Sequence, residues 1–329
     1  MFPPERKTFL KCLRSREKTM PGAYTHLTLV GLLTASKPLN KAEGFPKAAK
    51  AALLDNTRFC DLGAVSPDYP YLKLVGLALD WADDMHYTHT GKMILTGVEA
   101  MRGLADADRA KCFAWLLGYI SHVVGDVTIH PVVQLKVGPY ERNKQAHRVC
   151  EMHQDSHIFQ RLGLGPIGVS EYLDSGLVTC SAPNRKDKLD PAVVTVWRKM
   201  LKACYPDRYR KRVPDINSWH EAFVRTVDAA EESGRLIPIA RHVGVNLGLT
   251  YPNPDEVDPQ YVRGLATPDG IMDYDAVFDR ALRNVLEAWS LAAAAVYAGD
   301  ARYLSFFEDW NLDTGLNNRG GYAFWGNGS

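Results

Sequence analysis

A carboxylate set in the middle of an apolar helix constrains this chain more than any other feature of its sequence. The stretch is Gly118-Tyr-Ile-Ser-His122-Val-Val-Gly-Asp126-Val-Thr-Ile-His130-Pro131. Residues four apart on a helix lie one above the other. His122 and Asp126 therefore project from one face, and His130 follows just before Pro131, which is expected to end the helix. Ile120, Val123, Val124 and Val127 around them are apolar. Burying a carboxylate in such a setting is costly unless a cation neutralises it. Zinc supplies that charge and accepts His and Asp as ligands. The pattern repeats in His147-Arg-Val-Cys-Glu151, with Asp155 four residues further. A lone His-x-x-x-acid pair is usually a surface pair. Two on consecutive helices, the first in apolar surroundings, follow the logic of metal sites built inside helix bundles.

The rest of the chain reads as helix after helix. Segments 24–36, 45–55, 71–102, 108–127, 141–162, 191–204, 218–234 and 273–298 combine apolar spacings of three and four with good helix formers. In the last, Phe278, Leu282, Val285, Trp289, Ala292 and Val296 form one continuous stripe, that of a core-facing helix. The run Val193–Val196 is strand-like but sits inside a better helical pattern. Pro and Gly cluster in 163–168, 205–216 and 250–270, which read as loops. The expectation is an all-α protein: a single multi-helical domain over 20–329 with a metal cluster between core helices. Ahead of it, residues 1–19 carry six basic residues against two acidic ones. They read as a disordered, solvated tail or an extension upstream of a start at Met20; the alternative is a basic anchor for anionic lipid.

Composition narrows the chemistry. Lys and Arg number 39 against 38 Asp and Glu, so specific nucleic-acid binding is not expected. Cys12, Cys60, Cys112, Cys150, Cys180 and Cys204 are scattered without a CxxC pair. They suit reduced, buried thiols and leave any metal to imidazole and carboxylate. No apolar run reads as long enough to cross a bilayer, so no transmembrane segment is expected. The first residues lack a signal-peptide core. The expected location is the cytoplasm, or outside the cell by a route without a classical signal.

Further candidates lie upstream. His26 sits on an apolar first helix, Asp68 follows Pro67, and His86 and His89 stand close together. Singly, each has a bland reading: a core histidine, a turn aspartate, a surface pair. Asp155 reads either as an acceptor fixing a ligand imidazole or as a surface carboxylate. His153 and His157 read as solvent-facing or packing residues. Asp309–Gly315 reads as a helix-terminating turn in preference to the rim of a site.

In order, His26, Pro67-Asp68, His86, His122-x-x-x-Asp126, His130-Pro131 and His147-x-x-x-Glu151 resemble the zinc-dependent phospholipase C family of bacterial type. The Gly-Tyr-Ile-Ser-His-Val-Val-Gly-Asp stretch is especially similar, and the likeness covers roughly residues 20–160. It implies that Asp68, His86, His122 and Asp126 surround one zinc, that His130, His147 and Glu151 hold a second, and that His26, with Asp126 bridging, serves a third. His86 is preferred to His89 on the match to Trp-Ala-Asp-Asp-Met-His. Asp68 would also be catalytic, orienting or deprotonating the attacking water. In secreted members of the family the mature amino terminus completes the third site, whereas here His26 lies well inside the chain. The open alternatives are the amine of Pro21, other ligands, or two zinc ions instead of three.

The resemblance implies hydrolysis of glycerophospholipids, phosphatidylcholine-like, by zinc-bound hydroxide. The products would be diacylglycerol and a phosphorylated headgroup, and the partner a phospholipid met at a membrane surface. The same fold serves single-strand zinc nucleases, for which Tyr24, Tyr87, Tyr140 and Trp310 would stack bases; they would equally line a lipid-headgroup pocket. A non-catalytic, zinc-stabilised binding protein is the reading from another class.

Overall fold

The computed structural model describes residues 23–42, 44–73, 78–165, 176–233 and 251–326. The basic stretch 1–19, Met20, Pro21 and Cys12 lie outside them, as do residues 166–168 of one expected loop and residue 250 of another. The principal helices are α1 (Ala23–Thr34), α2 (Lys47–Leu54), α3 (Thr57–Val65), α4 (Leu79–Tyr87), α5 (Thr90–Met101), α6 (Asp106–Val137), α7 (Tyr140–Phe159), α8 (Pro191–Cys204), α9 (Pro206–Lys211), α10 (Ile216–Ser233) and α11 (Tyr274–Ala298). Sheet among the described residues is confined to two antiparallel hairpins, β1 (Ser181–Ala182) with β2 (Arg185–Leu189) and β3 (Leu265–Thr267) with β4 (Gly270–Met272). The expected all-α class is the one observed.

Helix α6 is the axis of the fold. Every residue from Cys112 to Val133 is buried, as a helix apolar over most of its circumference must be. By length and composition alone it is long and apolar enough to cross a bilayer, a run the sequence reading did not foresee. Its apolar window is wholly buried inside the protein, however, which is consistent with the expectation of no transmembrane segment. Helices α3, α11, α5, α2 and α1 pack around it. Two glycines set the closest of these contacts. A Cβ on Gly63 of α3 would lie 1.9 Å from the Trp115 carbonyl oxygen, and one on Gly118 of α6 would lie 1.9 Å from that of Cys60. The two backbones meet face to face because neither residue has a side chain there.

The structure departs from the sequence reading at several places, of which three concern where helices start and stop. Pro131 does not end α6, which continues to Val137. The proline forfeits one helical hydrogen bond, but Val132 and Val133 beyond it are buried in a second apolar cluster with Phe278 and Trp325. The Trp325 indole N–H also donates to the Thr128 carbonyl in the same turn, at 2.9 Å. Segment 71–102 is not one helix; α4 and α5 are separated at Thr88-His89, where His89 takes the left-handed φ of 56°. The expected loop 205–216 carries the short helix α9, started by Pro206 in the first turn, where proline's missing N–H costs nothing.

Candidate metal centre

Five stretches of chain bring polar side chains to one face of α6. That helix contributes His122, Asp126 and His130 at successive four-residue steps. Helix α1 contributes His26, the 3-10 turn Ser66–Asp68 after α3 contributes Asp68, α4 contributes His86, and α7 contributes His147 and Glu151. All eight are buried. Their donor atoms form three groups able to hold a metal ion: His26 with His122 and Asp126, Asp68 with His86 and His122, and His130 with His147 and Glu151.

Asp126 stands at the centre. Its Oδ1 is 3.1 Å from His26 Nε2 and 3.5 Å from His130 Nε2, and its Oδ2 is 3.2 Å from His122 Nε2. Asp68 Oδ1 is 3.2 Å from His86 Nε2. Glu151 Oε1 is 3.0 Å from His147 Nε2 and 3.2 Å from His130 Nε2. Asp126 gathers with His26, the pairing the resemblance implies; the grouping differs from the implied one in that His122 is shared with this group and Asp126 is not grouped with Asp68 and His86.

Three of the imidazoles are aimed by backbone carbonyls. A carbonyl only accepts, so the Nδ1 facing it must carry the proton and Nε2 is left free toward the cage. His86 Nδ1 donates to Ala82 at 2.7 Å, His122 Nδ1 to Ala64 at 2.9 Å, and His130 Nδ1 to Leu312 at 2.9 Å. The glycine contact between α3 and α6 is what brings the Ala64 carbonyl within reach of His122.

The donor set fits zinc, which takes imidazole and carboxylate. Both oxygens of Asp68, and Oδ2 of Asp126, are buried without a hydrogen-bond partner among the described residues. Buried carboxylate oxygens left so are costly, and a cation among them removes the cost. The proton distribution points the same way. Burial works against the charged forms, yet His130, His122 and His26 hold Asp126 well below the usual carboxylate range. Burial is likewise overcome at Glu151, where His147 and His130 bring the carboxyl to about 2. Burial also disfavours the imidazolium of His86 and His130, but Asp68 raises the first to about 9 and Asp126, with Glu151, the second to about 10. Burial and neighbouring His26 push His122 down. Protons on His86 and His130 thus stand where metal charge would.

Zinc must displace them. Zinc affinity of the metal-free chain is expected to rise steeply between pH 6 and 9, with about two protons released per chain near pH 7. Calorimetric titration in buffers of different ionisation enthalpy measures this; a flat affinity without proton release would contradict it. The sign for stability follows. Both histidines are raised above their unfolded value, so their contribution is full below about pH 6.5 and is lost as pH rises through 9 to 10. The midpoint of thermal unfolding of the metal-free chain should fall over that range.

The cage opens past Tyr71, Tyr87, Tyr140 and Asp313, which lie beside His86, His130, His147 and Glu151. An outer pocket of about 560 Å³ shares Tyr87, Tyr140 and Asp313 with this mouth and is also lined by Glu141 and Lys144. Tyr140 meets the His147 ring edge-on at 5.0 Å, and the Tyr87 hydroxyl donates to Asp313 Oδ2 at 2.9 Å. Of the four aromatics singled out from sequence, only Tyr87 and Tyr140 stand here. Tyr24 is buried against Phe159 and Tyr251, and Trp310 against Phe306, Phe307 and Phe324.

Other candidates find different places. His89 is exposed, its Nδ1 3.4 Å from Asp309. Asp155 is neither on the surface nor bonded to an imidazole. It is fully buried and accepts the Thr25 N–H at 2.8 Å and the Tyr251 hydroxyl at 2.9 Å. Burial raises it to about 6, against these bonds and the Arg148 charge. His153 stacks on Tyr261, and His157 pairs with Asp275 at 2.7 Å. Asp309–Gly315, read as a turn ending a helix, is instead part of the rim. The carbonyls of Ala64, Ala82 and Leu312 left no trace in the sequence, since any residue supplies a carbonyl.

The family model for zinc-dependent phospholipase C matches residues 25–207. No curated protein and no solved structure is matched. The matched region is more than half of the chain and contains every residue of the cage, from His26 to Glu151, and the chain therefore belongs to the zinc-dependent phospholipase C family.

Proposed function

We propose that this zinc-dependent phospholipase C-type hydrolase acts on glycerophospholipids with phosphatidylcholine-like headgroups, using two or three zinc ions held by the eight cage residues. The observation that carries this reading is the cage itself: buried Asp68 and Asp126 carboxylates faced by imidazole nitrogens, beside a mouth of three tyrosines and an acid. Zinc in such a site lowers the pKa of a bound water toward neutrality and offsets charge on the phosphoryl oxygens. Asp126 lies within reach of three imidazoles and would help hold the ions beside them. Asp68, buried with Oδ1 3.2 Å from His86 Nε2, would orient the attacking water and take its proton. The new bond is water oxygen to phosphorus, and the bond broken is phosphorus to the glycerol oxygen, which takes up a solvent proton and leaves as diacylglycerol while Asp68 returns its proton to solvent. Tyr87, Tyr140 and Asp313 suit a quaternary ammonium, which aromatic faces and a carboxylate attract.

The paired tyrosines favour a second reading, since a nucleobase would stack on them as well. Purified, zinc-loaded protein should release phosphocholine from phosphatidylcholine vesicles. Single-stranded nucleic acid and 3′-nucleotides assayed beside the vesicles separate the readings. Turnover of these without lipid hydrolysis would transfer the chain to the nucleases. Bound zinc with no turnover of any phosphodiester would leave a metal-stabilised binding protein.

A further inference from the structure

The segment Glu308–Gly315 lies more than a hundred residues beyond the matched region, yet it crosses the cage like a strap. At one end it is anchored on the start of α5. The Thr90 hydroxyl donates to the Trp310 carbonyl at 2.8 Å and accepts the Trp310 N–H at 2.7 Å, and Asp309 Oδ1 accepts the Lys92 N–H at 3.1 Å. A Cβ on Gly91 would lie 2.2 Å from the Glu308 carbonyl oxygen. At the other end Gly315, at φ +69°, lies against α6; a Cβ there would be 2.4 Å from Pro131 Cγ and 2.6 Å from the Val127 carbonyl oxygen. Between the two anchors, Leu312 reaches both sides of the site. Its N–H donates to the His86 carbonyl at 3.0 Å, and its carbonyl accepts His130 Nδ1. Asp313 follows, held by Tyr87 through its carboxylate and by Gln134 through its carbonyl at 2.7 Å.

We propose that this strap is a working part of the metal cage, with Leu312 as the positioning residue that turns His130 Nε2 inward. The inference rests on reading the cage as a zinc site. His86 is aimed by its own helix and His122 by α3, both within the matched region. His130 is the imidazole whose aim comes from outside it. The fully buried Leu312 side chain keeps the strap seated. Removing such an outer hydrogen bond typically costs 10- to 100-fold in metal affinity.

The bond is made by backbone, so the test displaces the strap. Gly315→Ala collides with Pro131 and requires a strained φ; Thr90→Val removes two anchoring bonds at little change in volume, and Thr90→Ser restores the hydroxyl. Each full-length protein is loaded with zinc and titrated with a competing chelator, and histidine nitrogen spectra report the His130 tautomer. Gly315→Ala and Thr90→Val should release part of their zinc about 10- to 100-fold more readily and lose the single Nδ1–H form of His130. Thr90→Ser should behave as the parent. If Gly315→Ala does not fold, Thr90→Val decides. Folded variants that keep zinc and tautomer unchanged would overturn the strap's role while leaving the cage intact. A parent protein that takes up no zinc would overturn both.

Discussion

Asp126→Ala is expected to remove most of the bound zinc and to lower phosphodiester turnover by about a thousandfold or more. No other carboxylate of the cage reaches as many imidazoles: Asp126 reaches His26, His122 and His130 within 3.5 Å. Alanine leaves those three imidazoles without that carboxylate, and the group formed with His26 and His122 loses its only anion. Asp126→Asn is the sharper version. It keeps the volume and removes only the charge, so a loss of the same size shows that charge, not packing, is what matters. Zinc per chain by elemental analysis and phosphocholine release from vesicles provide the two readings. Near-parental zinc content in both variants would show that Asp126 is a packed, neutralised core acid and not a ligand.

The second large effect falls on the fold. Gly118→Ala should destabilise the protein by about 3 kcal/mol, because its Cβ would sit 1.9 Å from the Cys60 carbonyl oxygen and backbone does not step aside as a side chain does. Relief requires α3 and α6 to separate, which withdraws the Ala64 carbonyl from His122 and moves Asp68 with it. Stability and zinc affinity should therefore fall together. Gly63→Ala, which meets the Trp115 carbonyl oxygen at the same distance, should act alike. The double variant should cost less than the sum, since one separation relieves both clashes. Urea midpoints of the metal-free proteins measure the effect, and an unchanged midpoint for Gly118→Ala would contradict the helix contact.

The residues of the cage were legible in the sequence because their chemistry is conspicuous. A carboxylate at Asp126 among valines and isoleucines calls for a compensating charge, and the four-residue spacings of α6 and α7 put the candidate ligands on one face. His26, Asp68 and His86 carried no such signal alone and became readable only through resemblance in their order. Helical periodicity located the long elements but misjudged how they end. Pro131 was expected to stop α6, and tertiary burial of Val132 and Val133 overrode it. The strap escaped because it acts through Leu312's backbone, and Gly118 and Gly63 because a close helix contact is a property of the pair. Asp155 was misread since its partners, Thr25 and Tyr251, are remote in sequence.

The cysteines have a consequence for which metals the protein accepts. All five in the described residues are buried. Burial holds their thiols protonated, with Cys204 raised to about 11 and Cys112 to about 12. Soft cations such as copper(I) gain most from thiolate sulfur, and the folded protein offers them none there. Selectivity against such competitors would follow as much from sulfur withheld as from nitrogen and oxygen supplied.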